Sequence, residues 1–383
     1  MPSYIKADQF FYPHGIRRGG YLELIDGKFG KHVDQIPEDA KVVDYTGYSI
    51  APGLVDTHIH GFGGVDVMDN NIEGTLHTMS EGLLSMGVTS FLPTTLTSSY
   101  EQLLAVTENI GARYQEATGA KIRGIYFEGP YFTEEYKGAQ NPAYMKDPRM
   151  DEFRAWQKAA NGLLNKIALA PERDGVEDFV RTITGEGVTV ALGHSNATFN
   201  EAKKAVDAGA SVWVHAYNGM RGLTHRELGM VGAMYEIPHT YAELICDGHH
   251  VDPKACDILI KQKGVENIAL ITDCMTAGGL EDGDYMLGEF PVVVDKGTVR
   301  LKSTGNLAGS ILKLKDGLKN VVEWGIANPH EAVMMASFNP AKSVHIDDVC
   351  GQIREGYDAD FIVLDKDLEL VATYLDGVKR YQA

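Results

Sequence analysis

Residues 51–61 read Ala-Pro-Gly-Leu-Val-Asp-Thr-His-Ile-His-Gly. The short apolar run Leu54–Ile59 runs directly into the pair His58 and His60. A doubly wound open sheet would carry a glycine-rich phosphate loop after its first strand. This strand instead ends in imidazoles, as expected for a closed barrel whose working side chains stand at the C-terminal ends of its strands.

Outward from that stretch, seven more apolar runs follow: Ser90–Pro93, Ile122–Phe127, Lys166–Ala170, Val188–Leu192, Ser211–Val214, Tyr241–Cys246 and Asn267–Thr272. Amphipathic segments lie between them, among them Glu73–Met86, Tyr100–Glu116, Phe199–Ala208 and Pro253–Lys263. Their apolar residues recur at helical spacing. Eight alternations predict an α/β fold of the (β/α)8 TIM barrel type. After the eighth run, residues 283–301 read as a β-excursion, and a helix is expected from about Ser310 to Trp324.

The two ends of the chain read differently. Tyr21–Ile25, Lys41–Tyr45 and Tyr48–Ala51 look like strands, with Asp26-Gly27 as a turn. Near the other end, Asp360–Asp365 and Leu368–Tyr374 are strands, and Asp376-Gly377 is a hairpin turn. Neither end is large enough to fold alone. Residues 1–51 and 346–383 are therefore expected to form one discontinuous small β-sandwich module, and residues 52–345 the barrel.

Composition narrows the class. The chain has 383 residues, of which 44% are apolar, enough for a large core. No run of about 18 apolar residues is present, which predicts no membrane span. The first residues, MPSYIKADQFFYPHG, lack a basic region followed by an apolar stretch, so no secretory leader is expected. Cys246, Cys256, Cys274 and Cys350 show no paired spacing and read as reduced thiols of a cytoplasmic protein. A formal net charge of −18 disfavours nucleic acid as a partner. It equally requires that any site for an anionic ligand carry local positive charge.

The strand ends carry the chemistry. The first ends in His58 and His60, the third in Glu128-Gly129-Pro130, the fifth in Gly193-His194-Ser195, and the sixth in His215. The seventh ends in Asp247-Gly248-His249-His250 and the eighth in Asp273. At spacing i, i+2 the two imidazoles of the first strand share one face. Imidazoles with adjacent carboxylates suit zinc, iron or manganese. Each residue alone has a plainer reading: polar strand-end residues, a turn carboxylate, satisfied buried histidines, a helix cap. Their convergence on one rim favours a ligand set, and a carboxylate at the last strand can handle the proton of an activated water.

These residues, with the words FEGPYF (127–132), KGAQNP (137–142), LGHSNATF (192–199), VHAYNGM (214–220), HRELG (225–229), DGHHV (247–251), LITDCMTAGG (270–279) and LAGS (307–310), resemble the amidohydrolase superfamily. Within it the chain is similar to the N-acetylglucosamine-6-phosphate deacetylases. The resemblance runs on through ASFNPAK (336–342) and GQIREGYDADFIVLD (351–365). It implies a metal-dependent hydrolase that removes the acetyl group of an N-acetylated sugar phosphate. Glu128, His194 and His215 would hold a divalent transition metal (Zn, Fe or Mn), and His58 and His60 would allow a second. Asp273 would be the catalytic acid/base. Ala139, Gln140, Asn218, Gly219, Arg226, His250, Leu307, Ala308 and Gly309 would contact the substrate, with Arg226 on the phosphate. Many members carry histidine where Gln140 stands. The resemblance also implies a homodimer, because the HRELG loop lies near a neighbouring subunit in this family. A galactosamine counterpart of the substrate, another amide substrate and a non-catalytic sugar-binding barrel remain as alternatives.

Overall fold

The computed structural model describes residues 3–69 and 72–383. Eight strands form the barrel wall: Leu54–Ile59, Val88–Thr95, Ile125–Tyr131, Leu164–Leu169, Thr189–Leu192, Val212–Trp213, Tyr241–Leu244 and Ile268–Leu270. Each pairs in parallel with its sequence neighbour. The seam between the last and the first is closed just beyond the eighth strand. There Asp273 N–H donates to His58 O at 2.9 Å, and Cys274 bridges Ile59. The strands read as continuous apolar runs because helices cover them on the outside and side chains fill the inside.

The covering helices start where the sequence supplies caps. Thr198 and Glu201 form a reciprocal capping box at Phe199–Ala208, and Asn328 and Glu331 another at Pro329–Ala336. The expected helix from Ser310 begins only at Leu314. Ser310 is held extended against the eighth strand: its N–H donates to Asp273 O at 2.8 Å and its hydroxyl to Thr272 O at 2.5 Å. The run expected at Ile122–Phe127 is two pieces, Lys121–Ile122 and Ile125–Tyr131.

Both chain ends contribute to one sheet. Its strands are Ser3–Tyr12, Gly15–Arg18, Tyr21–Ile25, Lys28–Val33 and Lys41–Pro52, joined by Phe361–Leu364, Leu370–Leu375 and Val378–Gln382. Phe361–Leu364 pairs antiparallel with Lys41–Pro52 and thereby joins the two ends. The sheet folds over a core of its own, so that Phe29 of one edge lies 6.2 Å, centroid to centroid, from Phe361. The two strands expected within 41–51 are a single one, and Ser3–Tyr12 was not anticipated.

The β-excursion is a three-stranded antiparallel sheet, Gly283–Leu287, Phe290–Asp295 and Thr298–Leu301. Its apolar face (Leu287, Val292, Val294, Val299, Leu301) packs on Leu96, Met275 and Ala308 at the barrel mouth. It thereby holds Leu307–Gly309 beside the strand ends: Ala308 N–H donates to Val299 O at 3.1 Å. Among the described residues no helix is long and apolar enough to cross a membrane. All four cysteines are buried free thiols.

Candidate active site

Six strand-end side chains meet inside the barrel mouth, all of them largely buried. Glu128 stands at the centre. Its Oε1 lies 3.1 Å from Nε2 of both His194 and His215, and its Oε2 lies 3.2 Å from His60 Nε2. His58 Nε2 is 3.3 Å from His60 Nε2, and Asp273 Oδ1 is 3.1 Å from His60 and 3.5 Å from His58. Two sets of donor atoms result, Glu128/His194/His215 and His58/His60/Asp273. Nε2 atoms 3.1 Å apart on His194 and His215, with a carboxylate oxygen between, make a poor hydrogen-bond pattern but a good cradle for a cation. The donor chemistry thus fits a divalent metal, as the sequence led us to expect.

The main chain is bent to bring these atoms together. His194, His215 and Asp273 all have positive φ, at 46°, 24° and 51°. Non-glycine residues hold such angles only where surrounding bonds fix them. Here Thr133 N–H donates to His194 O at 3.1 Å, and Asp273 is pinned by His58 O and by the Ser310 N–H. Gly129 after Glu128 must be glycine, because a Cβ there would stand 2.2 Å from Thr97 Oγ1.

Buried partners orient the rings. His60 Nδ1 faces Thr94 O at 3.1 Å and His194 Nδ1 faces Tyr136 O at 2.8 Å. Each therefore carries its proton on Nδ1 and turns Nε2 to the centre. His58 Nδ1 meets the Glu243 carboxylate at 3.1 Å. Burial alone would disfavour a charged imidazole at His58, but Asp273, Glu128 and Glu243 outweigh it and push its pKa up to about 9. Glu128 is buried too, yet the surrounding imidazoles hold it well below the usual carboxylate range. Asp273 is also lowered: burial works against this, and His58 and His60 prevail.

A cavity of about 140 Å³ opens on these groups. Its wall includes Ala139, Gln140, Asn218, Gly219, His250, Leu307, Ala308 and Gly309, all anticipated as substrate contacts. Arg226 is exposed and is not part of this wall. Gln140 does more than line the cavity. Its Nε2 donates to Glu128 Oε2 at 2.6 Å and its Oε1 accepts from Thr97 N–H at 2.7 Å, so the amide steadies Glu128. His250 Nδ1 donates to Asp247 Oδ2 at 2.6 Å, which leaves Nε2 free for the cavity. Burial opposes charge on this ring, but Asp247 raises its pKa and so favours the protonated form.

Sequence reading missed Asp247 as the orienter of His250, and Lys166 and Glu243 beneath His58. A signal was available: Lys166 in LNKIAL and Glu243 in YAEL are charged residues inside strands otherwise built to be buried.

A model described as the amidohydrolase family matches residues 49–380. The chain is 40% identical over 357 residues to the N-acetylglucosamine-6-phosphate deacetylase of Vibrio furnissii, covering 93% of this chain and 86% of that one. It is 37% identical over 381 residues to the N-acetylgalactosamine-6-phosphate deacetylase of Escherichia coli O157:H7, covering 98% and 99%. Among solved structures it superposes, with a TM-score of 0.94, on an N-acetyl-D-glucosamine-6-phosphate deacetylase from Mycobacterium smegmatis in complex with N-acetyl-D-glucosamine-6-phosphate. That match has 29% identity and covers 100% of both chains.

Proposed function

The chain belongs to the amidohydrolase family, and from that premise we propose that it hydrolyses N-acetyl-D-glucosamine 6-phosphate to D-glucosamine 6-phosphate and acetate. The observation that carries this reading is the convergence of Glu128, His194 and His215 beside Asp273 in one cavity. Glu128, His194 and His215 hold one divalent metal. His58, His60 and Asp273 are a second ligand set, with Glu128 between the two. Imidazole and carboxylate ligands suit Zn²⁺, Fe²⁺ or Mn²⁺.

A divalent metal held there supplies Lewis acidity, polarising the acetamide carbonyl and acidifying water. Asp273 takes one proton from the attacking water as its oxygen bonds to the acetyl carbon. The His250 Nε2–H, oriented by Asp247, donates to the oxyanion that develops on the carbonyl oxygen. Asp273 then delivers its proton to the amine nitrogen as the C–N bond breaks. Asn218, Gly219 and Leu307–Gly309 position the sugar. Arg226, which lies outside the cavity wall, reaches the phosphate of a substrate bound in a second subunit. That assignment makes the enzyme a homodimer and answers the repulsion expected from a net charge of −18.

The test is acetate release from a panel of N-acetylglucosamine 6-phosphate, N-acetylgalactosamine 6-phosphate and unphosphorylated N-acetylglucosamine. The first is expected to have the highest kcat/KM. The Escherichia coli relative supports the galactosamine compound as the second reading. No acetate from either phosphosugar refutes both.

A further inference from the structure

Beneath the ligand nitrogens, deeper in the barrel, lies a charged pair that the proposed chemistry does not use. TIM-barrel interiors are filled mainly by branched apolar side chains. Here Lys166 of the fourth strand and Glu243 of the seventh point inward and meet in the barrel interior, their side chains 0% and 1% exposed. Lys166 Nζ bonds Glu243 Oε1, lies 3.4 Å from Thr57 O and caps the Tyr126 ring at 3.8 Å. A buried ion pair is weak evidence for stability, since apolar residues of similar volume often serve as well. Its retention calls for another reason.

The other carboxylate oxygen supplies one. Glu243 Oε2 accepts from His58 Nδ1 at 3.1 Å and from the main-chain N–H of His215 at 3.2 Å. The Glu243 carbonyl accepts from Ala216 N–H at 2.8 Å. An ionised carboxylate only accepts, so the neutral His58 ring must carry its proton on Nδ1, which turns the Nε2 lone pair toward the donor atoms of His60, Glu128 and Asp273. His60 and His194 use neutral carbonyls for this purpose. His215 Nδ1 has no hydrogen-bond partner among the described residues. The pose of His215 therefore depends on its strained main chain, with φ at 24°, and that main chain is what Glu243 grips.

We infer that Glu243, anchored by Lys166, is a positioning residue that fixes the His58 tautomer and the His215 main chain together, tying one metal-ligand set to the other. The inference rests on the metal-site part of the proposed function, not on its substrate.

The test compares two double variants that leave no unpaired buried charge. Glu243→Gln with Lys166→Met keeps an acceptor for His58 and His215; Glu243→Leu with Lys166→Met removes it. Ring ¹⁵N shifts of histidine-labelled, metal-free protein, recorded at a pH high enough that the His58 ring is neutral, read the tautomer, with His58 assigned by its loss in His58→Asn. Titration with Co²⁺ alone, followed by its visible absorption, reads affinity. Wild type and the Gln variant are expected to show Nδ1–H at His58. The Leu variant should show mixed tautomers and bind cobalt about 10–100-fold more weakly. Equal tautomers and equal cobalt affinity in the two variants overturn the inference. Should the Leu variant fail to fold, Glu243→Gln alone serves instead. It sets the amide against Lys166 and is expected to weaken cobalt binding, which the added Lys166→Met restores; no weakening, or no restoration, overturns the inference. Neither readout involves acetate, so a failed substrate panel would leave the inference standing, and the reverse.

Discussion

Replacing Asp273 by asparagine isolates the proton chemistry from the architecture. The position is held through its main chain, by N–H to His58 O at 2.9 Å and by the Ser310 N–H to its own carbonyl at 2.8 Å. The isosteric amide should therefore occupy the same place, with its oxygen still near His60 Nε2, 3.1 Å away in the present structure. What is lost is the ability to take and return a proton. One positioned acid or base is worth about 10²–10⁴-fold. Asp273 acts twice in the proposed cycle, so the loss belongs near the upper end, about 10⁴-fold in kcat. That is about 5.4 kcal/mol of barrier at 1.36 kcal/mol per decade. KM should change little, because the sugar contacts lie elsewhere in the wall. The assay is acetate release at matched metal content, measured on the same samples by mass spectrometry. Turnover within about tenfold of wild type at equal metal content refutes the assignment, as does a loss fully restored by adding metal.

Further outcomes follow from the same geometry. A proton competes with a cation for His58, whose pKa of about 9 lies above its ordinary 6.5, so metal affinity should rise with pH toward 9; cobalt titrations in weak buffer should release protons, and release that is absent at pH 7 contradicts this. Stability of the metal-free protein goes the other way, since the raised His58 pKa contributes stability that is complete below 6.5 and lost as pH rises through about 9; thermal melts across that window test it. Gln140→Ala frees Glu128 from its amide partner and should weaken metal binding by about 10–100-fold; unchanged binding shows the contact to be incidental. Arg226→Ala should raise KM for the phosphorylated sugar and leave kcat and metal content near wild type, and an unchanged KM removes Arg226 from the phosphate site.

Most of the barrel was legible because apolar runs end abruptly in polar residues. His58, His60, Glu128, His194, His215 and Asp273 each mark such an end, and the structure brings all six together. What stayed hidden depends on pairing across the fold. Lys166 and Glu243 come from the fourth and seventh strands, and nothing local in either strand names its partner. Gln140 reads as a loop amide until Glu128 and Thr97 are seen on its two ends. Ser3–Tyr12 escaped notice because its burial follows no clean alternation; it is flanked by strands on both sides and bulges between Ala7 and Gln9. The reach of Arg226 is a property of a loop and of an assembly, which no strand pattern encodes.

The claim at the centre is that Glu128, His194 and His215 hold a metal without which the amide is not cleaved. The direct measurement is acetate release from N-acetylglucosamine 6-phosphate by protein stripped with a chelator and refilled stepwise with Zn²⁺, Fe²⁺ or Mn²⁺, with bound metal counted at each step. The account predicts no turnover in the stripped protein and activity that returns in proportion to bound metal. Full turnover with no metal bound would contradict it.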